Sequence, residues 1–261
     1  MIEYSTTGLV GVLRIVRPER RNALNASLCE AMRDHLGNVD PGIRSVVITG
    51  TEDAFCAGAD LAQRHEDHGA VAHGGLDAGG NDSFRPNFDA LCDAINEAPV
   101  PVIAAIAGPA YGAGMQLAIA CDLRVSEPAA TFAIPSGKLG VMLSPRNLVR
   151  LHRCLGASIA RAVLVGGETL DGDRAYQVGF VHRLSENPFS DAMEWAAALA
   201  MLAPLSVAGH KEGLLLADAA GLDATSMSRL SELEHRAFAS EDLREGLAAF
   251  SEKRAPNFRG R

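Results

Sequence analysis

Lysine is nearly absent from this chain: 3 residues, at 138, 211 and 253, among 24 basic positions. The other basic residues are all arginine, a bias that fits a GC-rich bacterial genome. Aromatic residues make up only 5%, with a single tryptophan. Acidic residues outnumber basic ones, and the net charge of −8 excludes a general nucleic-acid surface, which has to be basic. A small basic pocket for a phosphorylated ligand remains compatible with that charge.

The five cysteines (Cys29, Cys56, Cys92, Cys121, Cys154) are odd in number and form no C-x-x-C pair. That pattern argues against a disulfide framework or a zinc site and points to a reducing cytoplasm. No basic head leads into an apolar run at the N-terminus, so no signal peptide is expected. No stretch of about 20 apolar residues would span a membrane. The sequence also lacks a Walker lysine and a G-x-G-x-x-G fingerprint, which disfavours a phosphate-cradling loop at Gly112–Gly114.

What is present alternates. Residues 9–16 and 43–49 are short, apolar and β-branched, as buried strands are. Asn25 is placed to cap a helix carrying Leu28, Met32 and Leu36 at helical spacing. A helix over 88–97 precedes a strand over 102–107, and a helix over 114–120 precedes a strand over 122–125. Repeated strand–helix–strand order predicts an α/β fold. Residues 64–86 show no periodicity and read as a long loop. Its His65, His68 and His73 have no helical pairing to form a metal site, so no metal is expected. Beyond residue 140 the pattern turns helical over 146–154, 157–165, 171–178, 189–202, 206–219, 223–239 and 241–253, with a short strand at 180–184.

Two segments of small residues stand out. Ala54–Leu61 (AFCAGADL) follows a strand, and Gly108–Leu117 (GPAYGAGMQL) follows another and opens a helix. Small residues let a ligand approach the main chain. A helix start leaves N–H groups unpaired, with a partial positive charge. One N–H from each segment, converging on one oxygen, would stabilise an enolate or a tetrahedral adduct of a thioester. Taken singly, each segment is weak evidence, because glycine before a helix more often marks a tight turn than a catalytic feature.

Together these segments resemble the enoyl-CoA hydratase/isomerase (crotonase) superfamily, and the likeness spans nearly the whole chain. Arg17–Leu24 (RPERRNAL) resembles its N-terminal signature. Ala54–Leu61 and Gly108–Asp122 resemble its two oxyanion loops, and Gly246–Phe258 its C-terminal signature. Leu139-Gly140 and Arg150-Leu151 sit where its mid-chain loop begins and ends.

The resemblance implies a ClpP/crotonase-like α/β spiral of ββα units. Residues 1–200 would form an acyl-CoA-binding core, and 201–261 a helical trimerisation region. It implies oxyanion donors at the N–H groups of Ala57 and Ala113. Ala57, Gly58, Ala59 and Asp60 would line the coenzyme A pocket. Arg20 and Arg21 would add charge for its phosphates, as would Lys253 beside Phe250, reaching from an adjoining subunit. A homotrimer, or a hexamer built as a dimer of trimers, is the expected assembly. The coenzyme A thioester would be substrate or ligand, and no other cofactor is expected.

A hydratase of the family holds its water with two glutamates, and those positions fall on Gln116 and Ser136. Neither side chain takes up a proton usefully near neutral pH. Hydration is therefore expected to be weak or absent. Met142 and Leu143 replace glycine-rich sequence in the mid-chain loop and would make the acyl end apolar. A different acid or base would have to come from Asp60, the loop histidines or Tyr111. Glu127, just after a strand, reads as a surface residue.

Overall fold

A computed structural model describes residues 1–61, 83–202, 204–219, 239 and 241–254. Six strands form the main sheet: β1 (Ile2–Thr7), β2 (Val10–Ile15), β3 (Ser45–Thr49), β4 (Val102–Ile106), β6 (Leu123–Ser126) and β9 (Arg183–Leu184). They lie in the order β1-β2-β3-β4-β6-β9. The β1–β2 pair is antiparallel, and every later pair in this sheet is parallel. A second, smaller sheet holds β5 (Pro109–Tyr111), β7 (Thr131–Ala133) and β8 (Leu170–Asp171), in the order β5-β7-β8.

Strand β4 is apolar throughout, and β3 is apolar over Val46–Ile48, because both faces of these strands are covered. On one face, Val46 and Ile48 of β3 and Val102, Ala104 and Ile106 of β4 join the larger core. Helices α1 (Ala26–Gly37) and α2 (Phe84–Glu97) supply Leu28, Met32, Leu36, Leu91 and Ile95 to it. On the other face, Val47, Ile103 and Ala105 meet Ala192 and Ala196 of a later helix, Pro188–Ala200. Asn25 caps α1 as expected, its side-chain oxygen accepting from the Leu28 N–H at 3.0 Å.

The remaining α-helices among the described residues are α3 (Ala113–Ala120), α4 (Ser136–Leu139), α5 (Pro145–Leu164), α6 (Gly172–Gln177), α7 (Pro188–Ala200), α8 (Pro204–Ala219) and α9 (Glu241–Ser251). The two helical segments expected over 146–165 are one element broken at Gly156, whose φ of 67° leaves the helical region. Lys211 fastens α8 to the core. Its ammonium donates to the Ile95 and Val100 carbonyls and to Asp122, at 2.9, 3.0 and 2.8 Å. Helix α9 packs on α4 of the same chain, so closely that a side chain at Gly246 would meet the Leu139 carbonyl oxygen at 2.4 Å.

Some boundaries differ from expectation. Strand β1 was not anticipated: it is an edge strand, polar and largely exposed, so it carries no apolar run. Helix α2 begins at Phe84, with Pro86 in its first turn, where proline costs no hydrogen bond. Strand β9 covers only the last two residues of the stretch 180–184. Nearly all of the helical segment expected at 223–239 lies outside the described residues.

Candidate functional site

The two small-residue segments are joined as neighbouring extended chains. Cys56 bridges Ala110 in parallel fashion. The Cys56 N–H donates to the Pro109 carbonyl at 3.1 Å, and the Tyr111 N–H donates to the Cys56 carbonyl at 2.9 Å. Glycine is required at the crossing. A Cβ at Gly114 would lie 2.1 Å from the Cys56 carbonyl oxygen. A Cβ at Gly58 would lie 2.9 Å from the Tyr111 carbonyl oxygen, and Gly58 also has a φ of 110°. Glu127 is not the idle surface residue the sequence pointed to. Its carboxylate accepts the Gly108 N–H at 2.6 Å and fixes the turn into the second segment.

The Ala57 N–H donates to the Arg21 carbonyl at 2.9 Å. It is therefore engaged, and the expectation that Ala57 supplies an oxyanion donor is corrected here. Two residues on, Ala59 bridges Leu24. The Leu24 N–H donates to the Gly58 carbonyl at 2.8 Å and the Asp60 N–H to the Leu24 carbonyl at 2.8 Å. That pairing turns the Ala59 N–H to the opposite side of the chain. Among the described residues it has no protein acceptor. The same holds for the Ala113 N–H, the first of α3 and thus at the positive end of that helix. Gly58 brings the two together: a Cβ there would sit 3.6 Å from the Ala113 nitrogen. Two unclaimed amides, Ala59 and Ala113, thus flank one glycine.

The N-terminal RPERRNAL segment is the scaffold for this loop. Arg17 donates to Asp60 at 2.9 Å and to the Ala23 carbonyl at 2.9 Å. Asn22 is fully buried. Its amide donates to the Ala54 carbonyl at 2.6 Å and to Thr51 at 3.0 Å, while its oxygen accepts the Arg17 N–H at 2.8 Å. Asp60 is 3% exposed and paired with Arg17, so it braces the loop and is poorly placed as an acid or base. Arg20 and Arg21 are exposed at the rim.

The other expected residues lie as follows. Gln116 is half-buried on α3, and its amide turns back to the Gly112 carbonyl at 3.2 Å. Ser136 is half-buried at the start of α4. Met142 is half-buried and Leu143 buried, just before α5. The Tyr111 hydroxyl accepts from Thr131 at 3.0 Å. On α9 and just past it, Phe250 and Lys253 are exposed. His65, His68 and His73 lie outside the described residues. Among the described residues, no cluster of histidine, cysteine or carboxylate side chains could hold a metal ion. No described helix is long and apolar enough to cross a membrane.

Comparison with known proteins fits this geometry. The family model for enoyl-CoA hydratase/isomerase matches residues 5–261. The chain belongs to that family. It is 37% identical over 265 residues to "Probable enoyl-CoA hydratase echA6" of Mycobacterium tuberculosis, covering 100% of both chains. It is 35% identical over 254 residues to the 2,3-dehydroadipyl-CoA hydratase of Escherichia coli, covering 96% of this chain and 95% of the relative. Among solved structures, methylmalonyl-CoA decarboxylase in complex with 2-nitronate-propionyl-CoA superposes with a TM-score of 0.88. That likeness, at 24% identity over 100% of this chain and 98% of the other, shows the crotonase fold.

Two further side chains of this enoyl-CoA hydratase/isomerase family member bear on its chemistry. Burial pushes the Cys56 thiol up to about 12, so it is no thiolate nucleophile at neutral pH. Asp89 on α2 escaped notice in the sequence. One of its oxygens, Oδ1, accepts from the Ser144 hydroxyl at 2.8 Å and from the Asn147 amide at 2.7 Å. Its partners lie more than 50 positions away in the chain, which is why no local motif reveals it.

Proposed function

We propose that this protein binds an acyl-coenzyme A thioester with its carbonyl oxygen against the N–H groups of Ala59 and Ala113, and that it hydrates enoyl-CoA weakly or not at all. The observation that carries the first half is the pair of unclaimed amides beside Gly58. Amides held in place by a folded loop need no reorganisation as negative charge develops on an oxygen, which is the condition for an oxyanion hole. The family relatives named above are CoA-thioester enzymes by name, and they support the same substrate class.

The second half rests on Gln116 and Ser136. A glutamine amide neither gives nor takes a proton near neutral pH, and the Ser136 hydroxyl makes no side-chain hydrogen bond to a base among the described residues. The loss of one positioned acid or base slows a reaction by on the order of 10² to 10⁴. Met142 and Leu143 make the acyl end apolar, which fits a fatty acyl chain and a role in lipid metabolism. Arg20 and Arg21 stand at the rim beside the Ala57 main chain and would meet the coenzyme A phosphates. Phe250 and Lys253 would complete a neighbouring pocket in a homotrimer or hexamer. The solution mass tests that assembly, and a monomer at micromolar concentration refutes it.

Calorimetry against saturated and unsaturated acyl-CoA esters, paired with a hydration assay on the enoyl esters, tests the reading. Binding with hydration on the order of 10² or more below the median enzyme turnover of about 10 s⁻¹ is the expected result. Ordinary hydration rates would overturn the second half. Absence of binding to every ester would overturn the first.

A further inference from the structure

We propose that Asp89 is the proton-transfer group of this site, removing and returning a proton at the acyl α-carbon of a bound thioester. The inference rests on the acyl-CoA reading and extends it, from binding to reversible enolisation.

Position comes first. Asp89 lies on α2, which packs on α3, the helix that begins with the Ala113 amide and carries Gln116. Its partner Ser144 directly follows Met142 and Leu143, the side chains assigned to the acyl end. Asp89 is thus tied by hydrogen bonds to the segment that carries Met142 and Leu143, and the Ala113 amide stands at the N-terminus of the helix it packs beside.

Its hydrogen bonding fits a working carboxyl better than a purely structural one. The donors from Ser144 and Asn147 both converge on Oδ1. Oδ2 has no hydrogen bond from any described residue. Contrast Asp93, one helical turn away, where Oδ2 accepts from Arg146 at 2.5 Å and Oδ1 is held by Arg150. The two residues share a helix face, yet only Asp93 is saturated by cations. The charged groups facing Asp89 are Arg85 and Asp93 on its own helix and Arg150 on α5. Burial is the largest influence and holds its carboxyl above the usual range. The Ser144 hydrogen bond and the two arginines pull the other way, and Asp93 adds to the rise. A base of raised proton affinity is better matched to a weakly acidic C–H.

The step balances without a co-reactant. The Asp89 carboxylate takes the α-proton. The C–H electron pair becomes the Cα–C1 double bond, and the carbonyl π pair moves onto the thioester oxygen, held by the Ala59 and Ala113 amides. Return of a proton to the α-carbon restores the acyl-CoA. Asp89 is only half-buried, so its proton exchanges with solvent between the two halves of the cycle.

The test is α-hydrogen exchange of octanoyl-CoA in D₂O, read by mass spectrometry, beside calorimetry of octanoyl-CoA binding. Asp89→Asn keeps an acceptor oxygen for Ser144 and Asn147 but cannot take up a proton. It should lower exchange by on the order of 10² or more, with affinity changed less than about threefold. Asp89→Glu should recover part of the rate. Ser144→Ala removes a hydrogen bond that lowers the proton affinity of Asp89, so the rise of exchange with pH should move to higher pH. A structural role alone would not move that profile. Octanoyl-CoA bound without exchange by the native protein, or exchange undiminished in Asp89→Asn, would overturn the proposal and leave the binding reading intact. No binding of octanoyl-CoA, nor of any other ester, would overturn the binding reading itself.

Discussion

The two halves of the proposed site are built differently. One half is main chain: the Cys56–Asp60 loop crossing Pro109–Gly114, held by reciprocal backbone hydrogen bonds and by glycines that nothing larger can replace. The other half is side chain: Gln116, Ser136, Met142 and Asp89, on helices and a loop that fold whichever residues stand there. The main-chain half is inseparable from the fold, because the contacts that aim its amides are also contacts that hold the sheet together. The side-chain half is free to change chemistry one residue at a time. On the proposed reading, this chain would keep its family's thioester cradle and lose the water-adding pair.

Substitutions sharpen that contrast. The largest effect is expected from Gly114→Val, which forces a side chain into the Cys56 carbonyl. The folded protein should be lost, or its acyl-CoA affinity abolished, as read by thermal melting and calorimetry. Asn22→Ala comes next. It strips the buried Ala54 carbonyl and the Arg17 N–H of a partner, and should cost about 3 kcal/mol in denaturant unfolding. Gln116→Glu combined with Ser136→Glu should raise enoyl-CoA hydration by on the order of 10² with little change in stability. No gain in the hydration assay would place the obstruction in the Val141–Asn147 loop. The smallest effect belongs to Gln116→Ala. Its single amide bond to Gly112 is half-exposed, so stability should fall by about 1 kcal/mol or less. If that change instead unfolded the chain, the division between the two halves would fail.

The core elements were legible because local pattern and tertiary fate agree. Leu28, Met32 and Leu36 recur at helical spacing behind a capping asparagine, and α1 buries all three together with Cys29. Strand β4 is apolar end to end and β3 is apolar over Val46–Ile48, and both are buried end to end. The illegible parts depend on distant partners. Ala57 and Ala59 are indistinguishable by type, and only the Arg21 carbonyl, far back in the chain, decides which amide is engaged. Gly58, between them, has a positive φ, so the two amides do not follow the regular alternation of a strand. Asp89 is one carboxylate among many until Ser144 and Asn147 fold against it. The start of α2 was hidden by Pro86, which reads as a loop residue yet is harmless in a first turn.

The cysteines offer a use of their own. Cys29, Cys56, Cys92 and Cys121 are all buried, and burial raises every one of their thiols, Cys56 and Cys121 to about 12. In the native state they should ignore alkylating reagents and mild oxidants. Any modification must then await local or global opening of the chain. Because Cys56 sits in the very loop that carries Ala59, its rate of alkylation becomes a stopwatch on the loop itself, and a bound thioester should slow it.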